Sequence, residues 1–491
     1  MYELKSNNNL IIFTLAFAMF LWSFSAGIVN ISLPTISQYL DISTNLVSMV
    51  VVIHLLVLVS FLLIFGRLGD IFGQKNVFMV GIFVFSVSSY FCAISLDIFQ
   101  LLFFRIIQGL GSAMILSMVP AIISTIFPNN LRGRIFGYIS LTTTLGLASG
   151  YGVGGFIIEN IGWNWIFVTV VPMGMLILFL ANKSLPKSNK KILNTNFDLV
   201  GSFLIFLTIL TFILPFNVEK NLDMGINLML ITFIISFILM AVFFIWESKC
   251  ENPLVDISIF KNLHITFSII AAFLATLVLT GTIFLLPFYF ELIMKYPSDF
   301  AGLIILIPSL VVLFIGPVSG YFSDRVGSRI PVIIASIILI IALILLYLLN
   351  ETIGLLIIFI TLAIRALSEG MFTPANNKLV MSHSPTEKIG YVSSLLNTAR
   401  YFGLIMGIVV FNTIFDYTIS NEISNLTGLP TKGAFQFSAP TGILLDGFQN
   451  AFFVGIGLSI IILLFAVLSR ENPSTDDTEV YEYSKEERLL D

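Results

Sequence analysis

Two short stretches decide the fold: GRLGDIFGQK at Gly66–Lys75 and GYFSDRVGSR at Gly320–Arg329. Each closes an apolar run of membrane length. Each reads glycine, three residues, aspartate, two residues, glycine and, one position on, a basic residue. They start 254 residues apart. A charged turn that recurs at equivalent places marks two related membrane halves, the internal-repeat organisation of secondary carriers.

The rest of the chain fits that organisation. Of 491 residues, 57% are hydrophobic and 11% charged, against about 25% charged in soluble domains. The mean hydropathy is +1.01. Apolar stretches of about 20 residues, the length that crosses a bilayer, recur throughout. Fourteen are expected, near 10–33, 44–66, 76–95, 98–127, 135–158, 163–182, 199–216, 225–246, 264–290, 300–322, 330–349, 352–379, 391–415 and 448–469. The fold class is therefore an all-α polytopic membrane protein. The first stretch is too long for a cleavable signal and lacks a small-residue cleavage site.

Charge sorts the loops. Three arginines (Arg105, Arg365, Arg400) fall inside spans, and three lysines (Lys220, Lys295, Lys432) fall in alternate loops. The other eighteen of the 24 basic residues lie on one side, together with both termini. The positive-inside rule makes that side cytoplasmic and the location the cell membrane. The net charge of −4 arises in residues 471–491, which hold eight acids and two bases. That composition is expected of a solvated, disordered tail. Nothing favours nucleic acid as a partner. Two cysteines, Cys92 in a span and Cys250 in a loop, form no metal-ligand spacing or disulfide framework.

Six spans per half would repeat after roughly 190 residues; the observed 254 leaves about 65 over. Spans 7 and 8 with their flanks supply the excess. The expected domains are an N-terminal six-helix bundle (1–183), a linker with two inserted helices (184–262), a C-terminal six-helix bundle (263–470) and the acidic tail (471–491).

The repeated turn has mechanical content. Gly66, Gly69 and Gly73 permit a sharp turn and close helix approach. Asp70 suits the positive end of a helix dipole. The first copy resembles the signature loop of the major facilitator superfamily, G-x-L-A-D-R-x-G-R-K, from which Gly69, Ile71 and Gln74 depart. That resemblance implies a conformational latch made of Gly66, Asp70, Gly73 and Lys75, with Asp324, Arg325 and Gly327 in the second copy.

Polar residues inside spans are costly and functional by default. Arg105 opens RIIQGLGSAM, with Gln108 one turn on and on the same face. The segment resembles the superfamily motif R-x-x-Q-G-x-G, which implies proton or substrate coupling; otherwise Arg105 is a snorkelling anchor. In GLASGYGVGG, Gly146, Gly150 and Gly154 make a flat groove for tight packing. This stretch is similar to the antiporter motif G-x-x-x-G-P-x-x-G-G, with Tyr151 in place of proline. AGIVNISLPTI (Ala26–Ile36), containing Asn30, resembles the fourteen-span drug:proton antiporters of EmrB and QacA type, which carry aspartate where Ser25 stands and tyrosine where His54 stands. A lone histidine there is either a helix–helix hydrogen-bonder or a proton carrier.

The second half supplies an acid. Arg365 and Glu369 share a helix face at i, i+4, either as a structural ion pair or with Glu369 as the leading protonatable site. Asn397 and Arg400 lie in NTARYFGLIMG, which looks like the family's N-T-x-R-x-x-G. FDLVGS, NPLVDISIFKN and GWNWIF, the last with Asn164 for the usual arginine, extend the likeness over about 10–470.

Together these give a proton-coupling set (Arg105, Gln108, Glu369, Arg365, Arg400, His54) and a substrate cavity (Ser25, Asn30, Tyr151, Asn397). The expected function is proton-driven export of small hydrophobic or cationic compounds, and the family resemblance implies a monomer. The alternative is a symporter or uniporter of a specific metabolite or anion. No P-loop, zinc cluster or catalytic triad is present, so no enzyme activity, metal or cofactor is expected.

Overall fold

The computed structural model describes residues 2–186, 199–217, 226–249, 257–384, 389–427 and 439–469. Most of the linker near 187–198 and the acidic tail from 471 lie outside the described residues. The elements are α1 (Tyr2–Tyr39), α2 (Thr44–Phe72), α3 (Gln74–Ala93), α4 (Ile98–Ile126), α5 (Asn129–Asn160), α6 (Trp165–Val168), α7 (Val170–Ser184), α8 (Leu199–Asn217), α9 (Ile226–Glu247), α10 (Leu263–Phe288), α11 (Ser298–Val326), α12 (Arg329–Tyr347), α13 (Leu355–Ser382), α14 (Ile389–Thr427) and α15 (Thr441–Leu468). Among the described residues twelve helical segments are long and apolar enough to cross a membrane. Helices α8 and α9, expected as an insert, fall outside that twelve and pack on each other.

Local signals set the ends. Asp97 caps α4 by accepting the Gln100 N–H at 2.9 Å, while Gln100 Oε1 accepts the Leu96 N–H at 3.1 Å, a reciprocal cap that satisfies two orphan donors. Ser43 caps α2 through the Leu46 N–H. Pro287 sits at the end of α10, and the chain continues as a π-helical turn over Tyr289–Ile293. Proline removes a ladder donor, and a π turn absorbs the register change.

One expectation needs correction. The span expected to end near residue 415 continues as helix to Thr427. Ile419 is buried and Ile423 packs beside the core, so an i, i+4 apolar stripe carries the helix on through polar sequence. Gly428 and Pro430 follow where it stops.

The packing is written twice. Helix α1 meets α5 and α7, α2 meets α4, and α3 meets α4 and α7. The same pairs recur as α10 with α14 and α15, α11 with α13, and α12 with α13 and α15. The halves meet along two seams, α5 with α11 and α2 with α14. Helix α8 touches both α2 and α14.

Lipid offers helices no hydrophobic incentive to associate, so close packing of small residues must hold them. A Cβ at Gly146 or Gly150 would come within 2.5 Å of the Phe20 or Phe24 carbonyl oxygen of α1. The groove read from the sequence is thus filled by α1. Its twin lies on α14, where Gly403 and Gly407 face the Phe273 and Leu277 carbonyls of α10.

The duplicated turns also match. Gly73 and Gly327 have φ of 95° and 89°, a region open to glycine alone in practice. Lys75 Nζ donates to the carbonyls of Asn182 (2.8 Å) and Leu185 (2.7 Å), at the C-terminal end of α7. Arg329 donates to the Val467 carbonyl at 2.5 Å, at the end of α15. Each copy therefore uses its base to satisfy orphan carbonyls of the last helix in its own half.

Candidate functional site

Helix α4 carries its polar residues into the interior of the first half. Arg105 and Gln108 are buried. Arg105 Nε donates to the Val50 carbonyl of α2 at 2.7 Å, and its Nη1 donates to Gln108 Oε1. Gln108 passes the chain to Ser89 of α3 at 2.5 Å. One turn on, Ser112 Oγ meets His54 Nε2 of α2 at 3.1 Å. Gly109 lets this happen: a Cβ there would stand 2.8 Å from the His54 carbonyl. A charge of this kind persists in an apolar medium when hydrogen bonds satisfy it. Arg105 and Gln108 thus tie α2, α3 and α4 together, and His54 bridges α2 and α4.

Helix α13 does the same with different chemistry. Arg365, 2% exposed, donates to the Leu279 carbonyl (2.5 Å) and to Thr282 Oγ1 (2.9 Å) of α10, and to Glu369 Oε2 at 3.2 Å. Glu369 itself is 37% exposed. Counted from the first residue of each helix, Arg365 holds the place of Gln108, and Glu369 that of Ser112. The two halves thus differ where it matters: the second presents an acid, the first a serine–histidine pair. Tyr151 of α5 is buried at the seam with α11, its backbone carbonyl against Gly302.

The remaining candidates are scattered. Ser25 and Asn30 are buried in α1, and the side-chain Oδ1 of Asn30 has no hydrogen-bond partner among the described residues. Asn397 is exposed on α14. Arg400, one turn further, reaches the Thr373 carbonyl of α13 at 3.4 Å. Gly66 packs on Ser117, and Arg325 stacks 4.6 Å over the Tyr321 ring. The side chains of Asp70 and Asp324 lie outside what is described; their backbones fall in the last turns of α2 and α11.

The sequence missed the polar residues where the halves touch. Ser298, the first residue of α11, donates its N–H to Glu159 of α5 at 3.2 Å and its hydroxyl to Glu291 at 3.0 Å. Its Oγ also lies 3.4 Å from Thr35 of α1. On the other seam Asp416 of α14 accepts from Thr44 Oγ1 (3.2 Å) and Asn45 Nδ2 (2.5 Å), and Asn412 donates to Asn45 Oδ1 at 2.7 Å. These contacts cluster at the end of the bundle away from the repeated turns. The acids close apolar runs, where hydropathy marks only a boundary. Their spacing from the packing glycines was the available signal.

Known proteins resemble this chain in sequence and fold. A model of the Major Facilitator Superfamily matches residues 15–408. The chain is 29% identical over 414 residues to the riboflavin transporter RibZ of Clostridioides difficile, covering 84% of this chain and 89% of that one. It is 28% identical over 399 residues to the multidrug export protein EmrB of Haemophilus influenzae, covering 80% and 78%. Among solved structures, a bacterial homolog of the human lysosomal transporter Spinster, inward-facing and unoccupied, superposes with a TM-score of 0.68 at 14% identity, covering 95% and 99%. That last likeness concerns the fold alone.

Proposed function

Because the chain belongs to the major facilitator superfamily, we propose that it is a proton-coupled exporter of small hydrophobic or cationic compounds working by alternating access. It is a multi-pass membrane protein with a multidrug-efflux relative. The observation that carries the reading is the Arg365–Glu369 pair. The arginine is sealed and satisfied on three sides, whereas the carboxylate it orients stays half open. An acid that is both held and reachable can take a proton or face a cation, and competition between the two couples their movements. His54, Arg105, Gln108 and Arg400 organise the helices around it, and Ser25, Asn30, Tyr151 and Asn397 border the substrate path.

We read α8 and α9 as two further membrane helices, bringing the count to fourteen; their 19 and 22 residues are long enough to cross at about 1.5 Å per residue. The halves are then 1–183 and 263–470, with 184–262 inserted and 471–491 as the tail. Both termini and both repeated turns face the cytoplasm, and the protein works as a monomer. With the seams bonded at the far end, we read the state described as the one that opens toward the cytoplasm. The test is reconstitution into liposomes with an imposed pH gradient, offering lipophilic cations and organic anions in parallel. Gradient-driven cation accumulation is expected; anion movement, or cation accumulation that does not follow the imposed gradient, would overturn the proposal.

A second reading is a carrier of one metabolite, favoured by the likeness to a riboflavin transporter. Counterflow of labelled riboflavin at zero pH gradient would support it over export.

A further inference from the structure

We propose that Glu159 and Asp416 are a symmetric pair of latches that hold the two halves together at the end opposite the repeated turns. Each does so by seating its carboxylate on the first turn of a helix from the other half. The inference rests on the alternating-access reading and adds residues that neither the family loop nor the interior arginines supply.

The symmetry is in the sequence. Glu159 lies nine residues beyond Gly150 on α5, and Asp416 lies nine beyond Gly407 on α14. Those glycines are equivalent, since each packs α5 or α14 against the first helix of its half. Nine residues is two and a half helical turns, so both acids project from the same place on equivalent helices. Each then reaches the other half's matching element: Glu159 the start of α11, Asp416 the start of α2.

The receiving ends are complementary. Helix α11 follows Pro297, which provides no side-chain cap, so the amide of Ser298 is one of the orphan donors that open every helix. Glu159 accepts it from across the seam, acting as a cap supplied in trans. Helix α2 has its own cap in Ser43, and there the first-turn side chains of Thr44 and Asn45 make the donation. In both places a negative charge sits at the positive end of a helix dipole. Close approach is prepared as well: Gly155 lies against the Ser298 carbonyl, where a Cβ would not fit. These bonds exist only while this end is shut. Parting the halves uncaps α11 and strips Thr44 and Asn45 of their acceptor, so the latches weight the balance toward the closed end without touching substrate.

The experiment measures that balance directly, at fixed pH and without substrate or gradient, so that its outcome does not depend on transport. In a background with Cys92 and Cys250 replaced, spin labels are placed on exposed residues at this end. One pair is Ile161→Cys with Leu348→Cys across the α5–α11 seam; the other is Tyr39→Cys with Leu426→Cys across the α2–α14 seam. Distance distributions are recorded by pulsed electron resonance in nanodiscs. Glu159→Ala and Asp416→Ala should each raise the long-to-short population ratio on the order of threefold to tenfold, the worth of one such bond. The double variant should raise it by about the product. An unchanged ratio in both single variants, or a shift toward the short distance, overturns the proposal. Asn45→Ala removes a donor while leaving every acid in place. It should open the ratio in the same direction, and it decides the matter where an acid variant fails to purify as a single species.

Discussion

Replacing Glu369 by glutamine keeps the side chain's volume and removes its charge. In the structure Arg365 would keep its bonds to Thr282 at 2.9 Å and Leu279 at 2.5 Å, while the 3.2 Å ion pair to residue 369 would become a neutral hydrogen bond accepted by the glutamine Oε1. The lost pair involves a carboxylate that is 37% exposed, so its contribution is discounted toward the surface value. The expected destabilisation is about 1 kcal/mol or less. Arg365→Met is the contrasting case, because it strips a buried network of its centre and costs about 3–5 kcal/mol. The functional effect of Glu369→Gln should be far larger than its structural one. A gradient of one pH unit supplies about 1.4 kcal/mol for each proton, enough for roughly tenfold accumulation. Without a protonatable group in the path, that ratio falls to unity. The assay is accumulation of a lipophilic cation in inside-acid liposomes, set beside zero-gradient counterflow of the same compound. Lost accumulation with retained counterflow is expected; undiminished accumulation would remove Glu369 from the coupling role.

Gly150→Ala and Gly407→Ala each force a methyl group against a neighbouring backbone carbonyl, and should cost about 1–3 kcal/mol, seen as a lowered midpoint of thermal unfolding; Gly137→Ala, with nothing within 4 Å, is the neutral control. Gly73→Ala and Gly327→Ala put a side chain at φ 95° and 89°, worth about 1–3 kcal/mol each, and equal losses from the two would bear out their equivalence. Asp70→Ala and Asp324→Ala should slow the access change, measured as turnover in counterflow; normal turnover in both rejects the latch role implied by family resemblance.

Much of the architecture was readable because it is written twice. The repeated turn pointed to a duplicated packing plan, which the helix pairs follow, and the positive φ of Gly73 and Gly327 is what a glycine fixed in place implies. The groove at Gly146, Gly150 and Gly154 was legible for the same reason, since small residues at i, i+4 leave only one physical use in lipid. Its twin at Gly403 and Gly407 was hidden by being shorter. Arg105 with Gln108 and Arg365 with Glu369 were found as neighbours from helical spacing alone. Their third partners were not, because the Val50 and Leu279 carbonyls belong to other helices and carry no side-chain signature. The same limit hid Glu159 and Asp416. Hydropathy treats an acid at the end of an apolar run as punctuation, and only the approach of a second helix gives it a task.

Two kinds of joint divide the labour in this molecule according to the sign of the charge that makes them. Cations close joints inside a half: Lys75 on the end of α7 and Arg329 on the end of α15. Anions close joints between halves, Glu159 on the start of α11 and Asp416 by the start of α2. Helix polarity then sorts the two kinds to opposite faces, because carbonyl ends attract bases and amide ends attract acids. On the proposed cycle, the bases keep each bundle whole while the halves part at their face, and the acids hold the halves together until they part at the other.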